Sequence, residues 1–251
     1  MTDSQPRSDH EGIAHVLDGM SARLAALPAE RSSWRAFLAT YRRTTVAVGE
    51  AVAAARFEDP GWVDRWDVAF ARLYLDAHDA ALDGRPVPRP WRLAFDASLE
   101  LPDLRRVLLG MNAHINYDLP QALLAVIDAA EFDDRALLAR RRAVHERIDE
   151  VLSARVAQEN VHFRAHPLRD LLLAPVNTAA SRRFLKEARV KVWHNTLELH
   201  RARVEGADAY RSRLGELEVL SAARIADLLA PGQVLLRLSV AGFGVTLPPP
   251  S

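Results

Sequence analysis

The chain has 251 residues, 49% hydrophobic and 26% charged, which is enough apolar material for a sizeable core and excludes wholesale disorder. Lys+Arg and Asp+Glu are both 33, a zero balance that argues against a general nucleic-acid binder with its basic face. Cysteine is absent, so disulfides, zinc fingers, iron–sulfur clusters and thiol chemistry are excluded, and any metal must be held by His, Asp, Glu or Asn.

The opening MTDSQPRSDHEG is polar and does not read as a secretory signal, and no stretch approaches eighteen apolar residues. A cytoplasmic protein without a membrane span is expected, with residues 1–10 a disordered tail. The two lysines, Lys186 and Lys191, against 31 arginines look like the codon bias of a high-GC bacterial gene.

From residue 11 to 232 the pattern is helical, with 3.6-residue apolar periodicity and few glycines. Ile13, Val16, Leu17, Met20, Leu24 and Leu27 make the first stripe, which ends before Pro28. Ser32 or Ser33 is the expected cap of a second helix running to about Phe57, with Trp34, Phe37, Leu38 and Tyr41 inward. Asp59-Pro60 opens a third, which puts Trp66, Phe70, Tyr74 and His78 on one side. DGRPVPRP (83–90) reads as a loop, and helical pattern resumes over 91–99 and from Asp103 to about Ala130. Asp133 or Asp134 caps a helix to about Gln158, Asn177 or Thr178 one to about Glu205, and Asp208 opens the last, to Leu229. QVLLRLSVAGFGVTL (233–247) alternates as a strand or hairpin would, or is a coil packed on or beside the bundle as a tail over 233–251. With no repeat and no linker, the expectation is one all-α domain, a bundle of about eight or nine helices.

The chemistry-bearing segment is GMNAHINYDLPQAL (110–123). His114 and Asp118 are four apart and share a helical face, so they can hold one ion or exchange one proton. Pro120 offers no N–H to the carbonyl of Asn116, so the helix should kink or widen beside the pair. Asn112, Asn116 and Gln121 make this turn polar within apolar flanks, a costly arrangement unless partners satisfy it. Tyr117 and Asn116 are candidates to orient a substrate.

His194/Glu198, His145/Asp149 and His166/Asp170 repeat the spacing, four pairs where about one is expected by chance. His194/Glu198 is the strongest of these, beside Trp193 and Leu197, while His145/Asp149 reads as a stabilising pair on an exposed helix and Pro167 interrupts His166/Asp170. His78, near Asp67, is a third contributor. A helical bundle builds a metal centre from such pairs on facing helices, so His114, Asp118, His194, Glu198 and His78 are the candidate ligands for Zn, Mn or Fe. Glu159 to His162 is a lone E-x-x-H where a di-iron bundle needs two, and no nucleotide, flavin or phosphate-loop signature occurs.

LLGMNAHINYDLPQAL (108–123), with PRPW before it (88–91), resembles the signature of a bacterial family known as domain of unknown function 5995. The likeness spans about 35–205; it implies a helical fold and draws attention to His114, Asn116 and Asp118. HINYDLPQ is also similar to the His-x-x-x-Asp-Leu-x-Gln stretch of the helical zinc-dependent phospholipase C and nuclease superfamily, with His194 and Glu198 in the place of its last element. Leu123 and Leu124 stand where that superfamily has its next ligand histidine, and the processed amino-terminal tryptophan has no counterpart, so this resemblance implies at most a one- or two-metal site.

Two functions follow as expectations. The first is a metal-dependent hydrolase of an ester or phosphoester, in which metal-bound water attacks. The second is a metal-free bundle that binds a small molecule, or a cyclase or isomerase using His114/Asp118 as its acid–base pair. In a third reading the polar turn serves packing alone.

Overall fold

The computed structural model describes residues 12–159, 175–232 and 242–249. Among them every regular element is helical, so the fold is all-α. Helix α1 is Ile13–Ala26, and a 3-10 turn, Ala29–Trp34, leads into α2, Arg35–Ala53. Ser32 and Ser33 therefore do not cap α2 with their side chains; the chain enters it already wound, and no side chain caps its first turn. The Asp59-Pro60 start holds: the Asp59 carboxylate accepts from the Trp62 amide at 2.9 Å, with proline in the first turn of α3, Pro60–Leu82.

After the 83–88 loop come α4, Arg89–Phe95, and α5, Asp103–Ala113. A π turn, His114–Asp118, joins α5 to α6, Leu119–Val126. The short α7, Ala129–Asp133, starts in a capping box between Asp128 and Glu131. Asp134 accepts from the Ala136 and Leu137 amides to start α8, Arg135–Glu159. Helix α9 is Pro175–Glu205, two residues longer at its start than its expected Asn177 cap, and α10 is Ala207–Leu229. The expected strand is absent from residues 242–249, which run extended over the bundle; 233–241, like 1–10, lie outside the described residues.

Helix α6 is central, packed between α3 and α9. Leu119, Ala122 and Leu123 are buried on it, and the indole N–H of Trp62 on α3 donates to the Val126 carbonyl at its end. Helix α5 packs on α2 and α10, and α4 crosses α10 and α5. The core so enclosed is aromatic: Trp34, Phe37, Tyr41, Trp66, Tyr74, Trp91 and Phe95 are all buried. Bulky rings leave little slack, and Gly110 on α5 is where they come closest to backbone. A Cβ there would lie 2.4 Å from the Phe37 ring, so only glycine admits that ring against α5.

Gly110→Ala should therefore cost about 1–3 kcal/mol by overpacking, despite the better helix propensity of alanine. Gly215→Ala on α10, where a Cβ meets nothing within 4 Å, should instead stabilise by about 0.5–1 kcal/mol. Urea unfolding of the two variants checks the contrast.

Candidate functional site

The polar turn begins with a missing hydrogen bond. Pro120 has no N–H, and the Leu119 amide bonds the His114 carbonyl five residues back, so the helix widens over His114–Asp118 as the proline requires. The widened turn divides its polar side chains between two opposite faces.

One face carries His114 and Asp118, both buried, with His114 Nδ1 2.8 Å from Asp118 Oδ2. The indole N–H of Trp91 donates to the same carboxylate oxygen at 2.9 Å. The imidazole lies flat on Phe70, centroids 3.5 Å apart and planes within 6°, with Tyr41 edge-on at 4.5 Å. Phe37, Tyr74 and Trp91 complete the cage at about 6 Å. His114 Nε2 is buried and meets no hydrogen-bond partner.

Burial disfavours the charged form of each partner, so it pushes Asp118 well up and His114 well down, with the Trp91 N–H drawing Asp118 partly back. The pair thus keeps one proton between Oδ2 and Nδ1 and carries no net charge. In that state the second ring hydrogen sits on Nε2, making it a buried donor aimed into an aromatic cage.

Tyr41, edge-on to the ring, carries a buried hydroxyl close to Thr45, whose Oγ1 is also buried, and Asp67 Oδ2 is a buried carboxylate oxygen without a hydrogen-bond partner. Asp67 is raised to about 7 by burial, with Asp64 adding repulsion. Burial also raises the Tyr41 hydroxyl, with Asp67 adding repulsion and a hydrogen bond with Thr45 drawing it partly back. A buried polar atom that stays unpaired costs about 1–3 kcal/mol, which is the cost His114 Nε2 and Asp67 Oδ2 carry unless a partner reaches them. Phe37, Tyr74 and Trp91, with Trp34, Phe95 and Arg106, also line a space of about 20 Å³, room for one water-sized group.

The other predicted residues lie elsewhere. Asn116 is on the opposite face, where its amide meets the backbone of Phe243 and Val245. Tyr117 packs with Leu124, Leu199, Leu217, Val245 and Leu247, and burial raises its hydroxyl. The His194 ring donates from Nε2 to the Leu247 carbonyl at 3.2 Å. Glu198 pairs with Arg213 at 2.9 Å, inside the bundle, and with Arg201. His78 bonds Asp79 Oδ1, the same oxygen that accepts from Arg23 Nε. Of the five candidate metal ligands only His114 and Asp118 meet, and no group of three or more His, Asp or Glu among the described residues is placed to hold an ion.

His145 is not on an exposed face: it is buried between Trp66 and Trp193 and bonds the Arg189 carbonyl. His166/Asp170 and His162 lie outside the described residues. Sequence reasoning left Thr45 out of the site, gave Asp67 only a passing place beside His78, and read Tyr41 and Trp91 only as members of an aromatic stripe that would line a pocket. The PRPW motif carried a signal for Trp91; a lone Thr45 on a helical stripe carried none.

The chain belongs to the family of unknown function DUF5995, whose model matches residues 13–231, wider at both ends than the motif-based expectation of 35–205. No curated protein and no solved structure matches it.

Asp67 gives a signed pH test. Its carboxyl keeps its proton to about 7 when folded and loses it near 3.8 when unfolded, so its stabilising contribution is full below 3.8 and lost as pH rises to 7. Asp67→Asn does not titrate, so its stability relative to wild type should climb by roughly 1.4 kcal/mol per pH unit through that window. Urea unfolding across the window checks this; parallel stability curves for the two proteins would contradict it.

Proposed function

We propose that this chain is an acid–base catalyst, of the isomerase or cyclase class, for a small apolar substrate. The observation that carries the reading is His114 Nε2, a buried ring nitrogen without a partner, while Nδ1 is fixed to Asp118 and Asp118 to Trp91.

In this reading the Nε2–H proton passes to a double bond or carbonyl of the substrate, and its bonding electrons stay on Nε2. The His114/Asp118 pair becomes net negative, and it recovers a proton from a neighbouring carbon to complete an isomerisation. Aromatic faces stabilise positive charge developing on the substrate, and the dry cage keeps water from trapping it. Trp91 is a positioning residue: its indole N–H sets the carboxylate that sets the ring. Asp67 near 7 is the second group able to exchange a proton at neutral pH. The space beside the cage admits one water-sized group, so a larger substrate enters only where the aromatic side chains around it move.

The metal-dependent hydrolase draws on the same His114/Asp118 pair and is separated from this reading by chelation. In D2O, a panel of small unsaturated and enolisable ketones should show enzyme-dependent deuterium incorporation that survives a chelator. His114→Ala should lower the rate by about 10²–10⁴-fold, the usual span of a general acid–base group. Turnover lost to the chelator and restored by Zn, Mn or Fe, with His114→Ala losing the metal, would replace proton transfer with the hydrolase.

A further inference from the structure

On the face of the π turn opposite His114, residues 242–249 lie extended along a groove formed by α5, α6, α9 and α10. Helix-borne side chains hold the strap's backbone at Phe243, Gly244, Val245, Leu247 and Pro248. The Asn116 amide donates to the Phe243 carbonyl at 3.1 Å and accepts from the Val245 amide at 3.2 Å. Two residues on, Asn195 repeats the pattern: it donates to the Val245 carbonyl at 3.0 Å and accepts from the Leu247 amide at 2.9 Å. Asn112 adds a second donor to the Phe243 carbonyl at 3.2 Å. Lys191 donates to the Gly244 carbonyl at 3.1 Å, His194 to the Leu247 carbonyl, and Arg213 to the Pro248 carbonyl. Glu187 accepts from the Phe243 amide at 3.1 Å.

Each asparagine offers one donor and one acceptor to two backbone groups of an extended chain, so the readout is of backbone, repeated every two residues. Both asparagines are fully buried, and without an extended chain against them their amides would have no partner in the groove. Side chains alternate accordingly: Phe243, Val245 and Leu247 point into apolar sockets, and Thr246 is exposed. Gly242, at φ +74°, and Gly244 lie where a Cβ would come within 3 Å of Glu187 and of Lys191 and Ala188, so the groove also selects for glycine.

We propose that this groove is a binding site for an extended peptide of the pattern Gly-aromatic-Gly-aliphatic-x-aliphatic, filled within the chain by residues 242–247 and open in exchange to a segment of that pattern on a partner protein. The contacts are those of peptide recognition: rigid donors and acceptors on helices, main-chain bonds for affinity and alternate pockets for specificity. A partner segment replaces the strap like for like, bond for bond. The tether raises the strap's effective concentration to the millimolar range, so the partner competes only where the strap is weakened or the partner abundant. The groove lies on the face away from the His114/Asp118 pair and does not depend on its chemistry.

The test uses the full chain and a fluorescent peptide, GFGVTLPP. The Phe243→Ser/Leu247→Ser chain should bind the peptide saturably, at least about tenfold more tightly than wild type does. Adding Asn116→Ala and Asn195→Ala should weaken that binding at least about tenfold. A folded Phe243→Ser/Leu247→Ser chain with no saturable binding would overturn the proposal. Hydrogen exchange of the wild-type chain reports independently of any variant. The Val245 and Leu247 amides should exchange at least about a hundredfold faster than the α6 amides, through local release of the strap. Exchange of both sets only by global unfolding would equally overturn it.

Discussion

The rest of the site depends on one hydrogen bond that a proline cannot make. Pro120 leaves the carbonyl of Asn116 without its usual donor, and the helix answers by widening into a π turn over His114–Asp118. A regular, wholly apolar helix at this position would serve the core as well and at less cost. Here the turn carries the buried polar side chains His114, Asn116 and Asp118, and with Asn112 at the end of α5 they divide in pairs between opposite faces. His114 and Asp118 enter the aromatic cage, and Asn112 and Asn116 take up the extended C-terminal strap.

The two faces are chemically unlike. On the strap side every amide finds a backbone partner except Asn112 Oδ1, and the result is a satisfied, sequence-reading contact. On the cage side satisfaction stops halfway: Nδ1 is paired and Nε2 is not. Apolar walls hold the His114/Asp118 pair at zero net charge, and the same walls make its spare proton the chemically available one.

Much of the fold was legible because its signals are local. Asp59-Pro60 and Asp134 each announce an element by cap chemistry, the proline-rich loop expected over 83–90 holds to residue 88 before Arg89-Pro90 open α4, and the apolar stripes of α1 and α3 give their inward faces directly. The Ser32/Ser33 cap failed because a 3-10 turn had already begun the winding. At the site, the i, i+4 spacing of His114 and Asp118 and the position of Pro120 sufficed to place the pair and the widened turn. What spacing cannot give is which helix a side chain faces. His194 and Glu198 share the His114/Asp118 pattern, yet one meets the strap and the other Arg213, and Asn195 between them, an ordinary residue in sequence, carries the backbone readout. His145 looked exposed because a polar residue among arginines suggests a solvated face; two tryptophans from other helices bury it.

The account stands on the protonation state of the buried pair, and ¹⁵N NMR of His114 reads it directly. A net-neutral pair predicts a one-bond ¹H–¹⁵N correlation at Nε2 at neutral pH, with Nδ1 sharing its proton with Asp118. A bare Nε2, with hydrogen on Nδ1 alone beside an ionised Asp118, would mean that the core holds an uncompensated negative charge and that His114 has no proton to give.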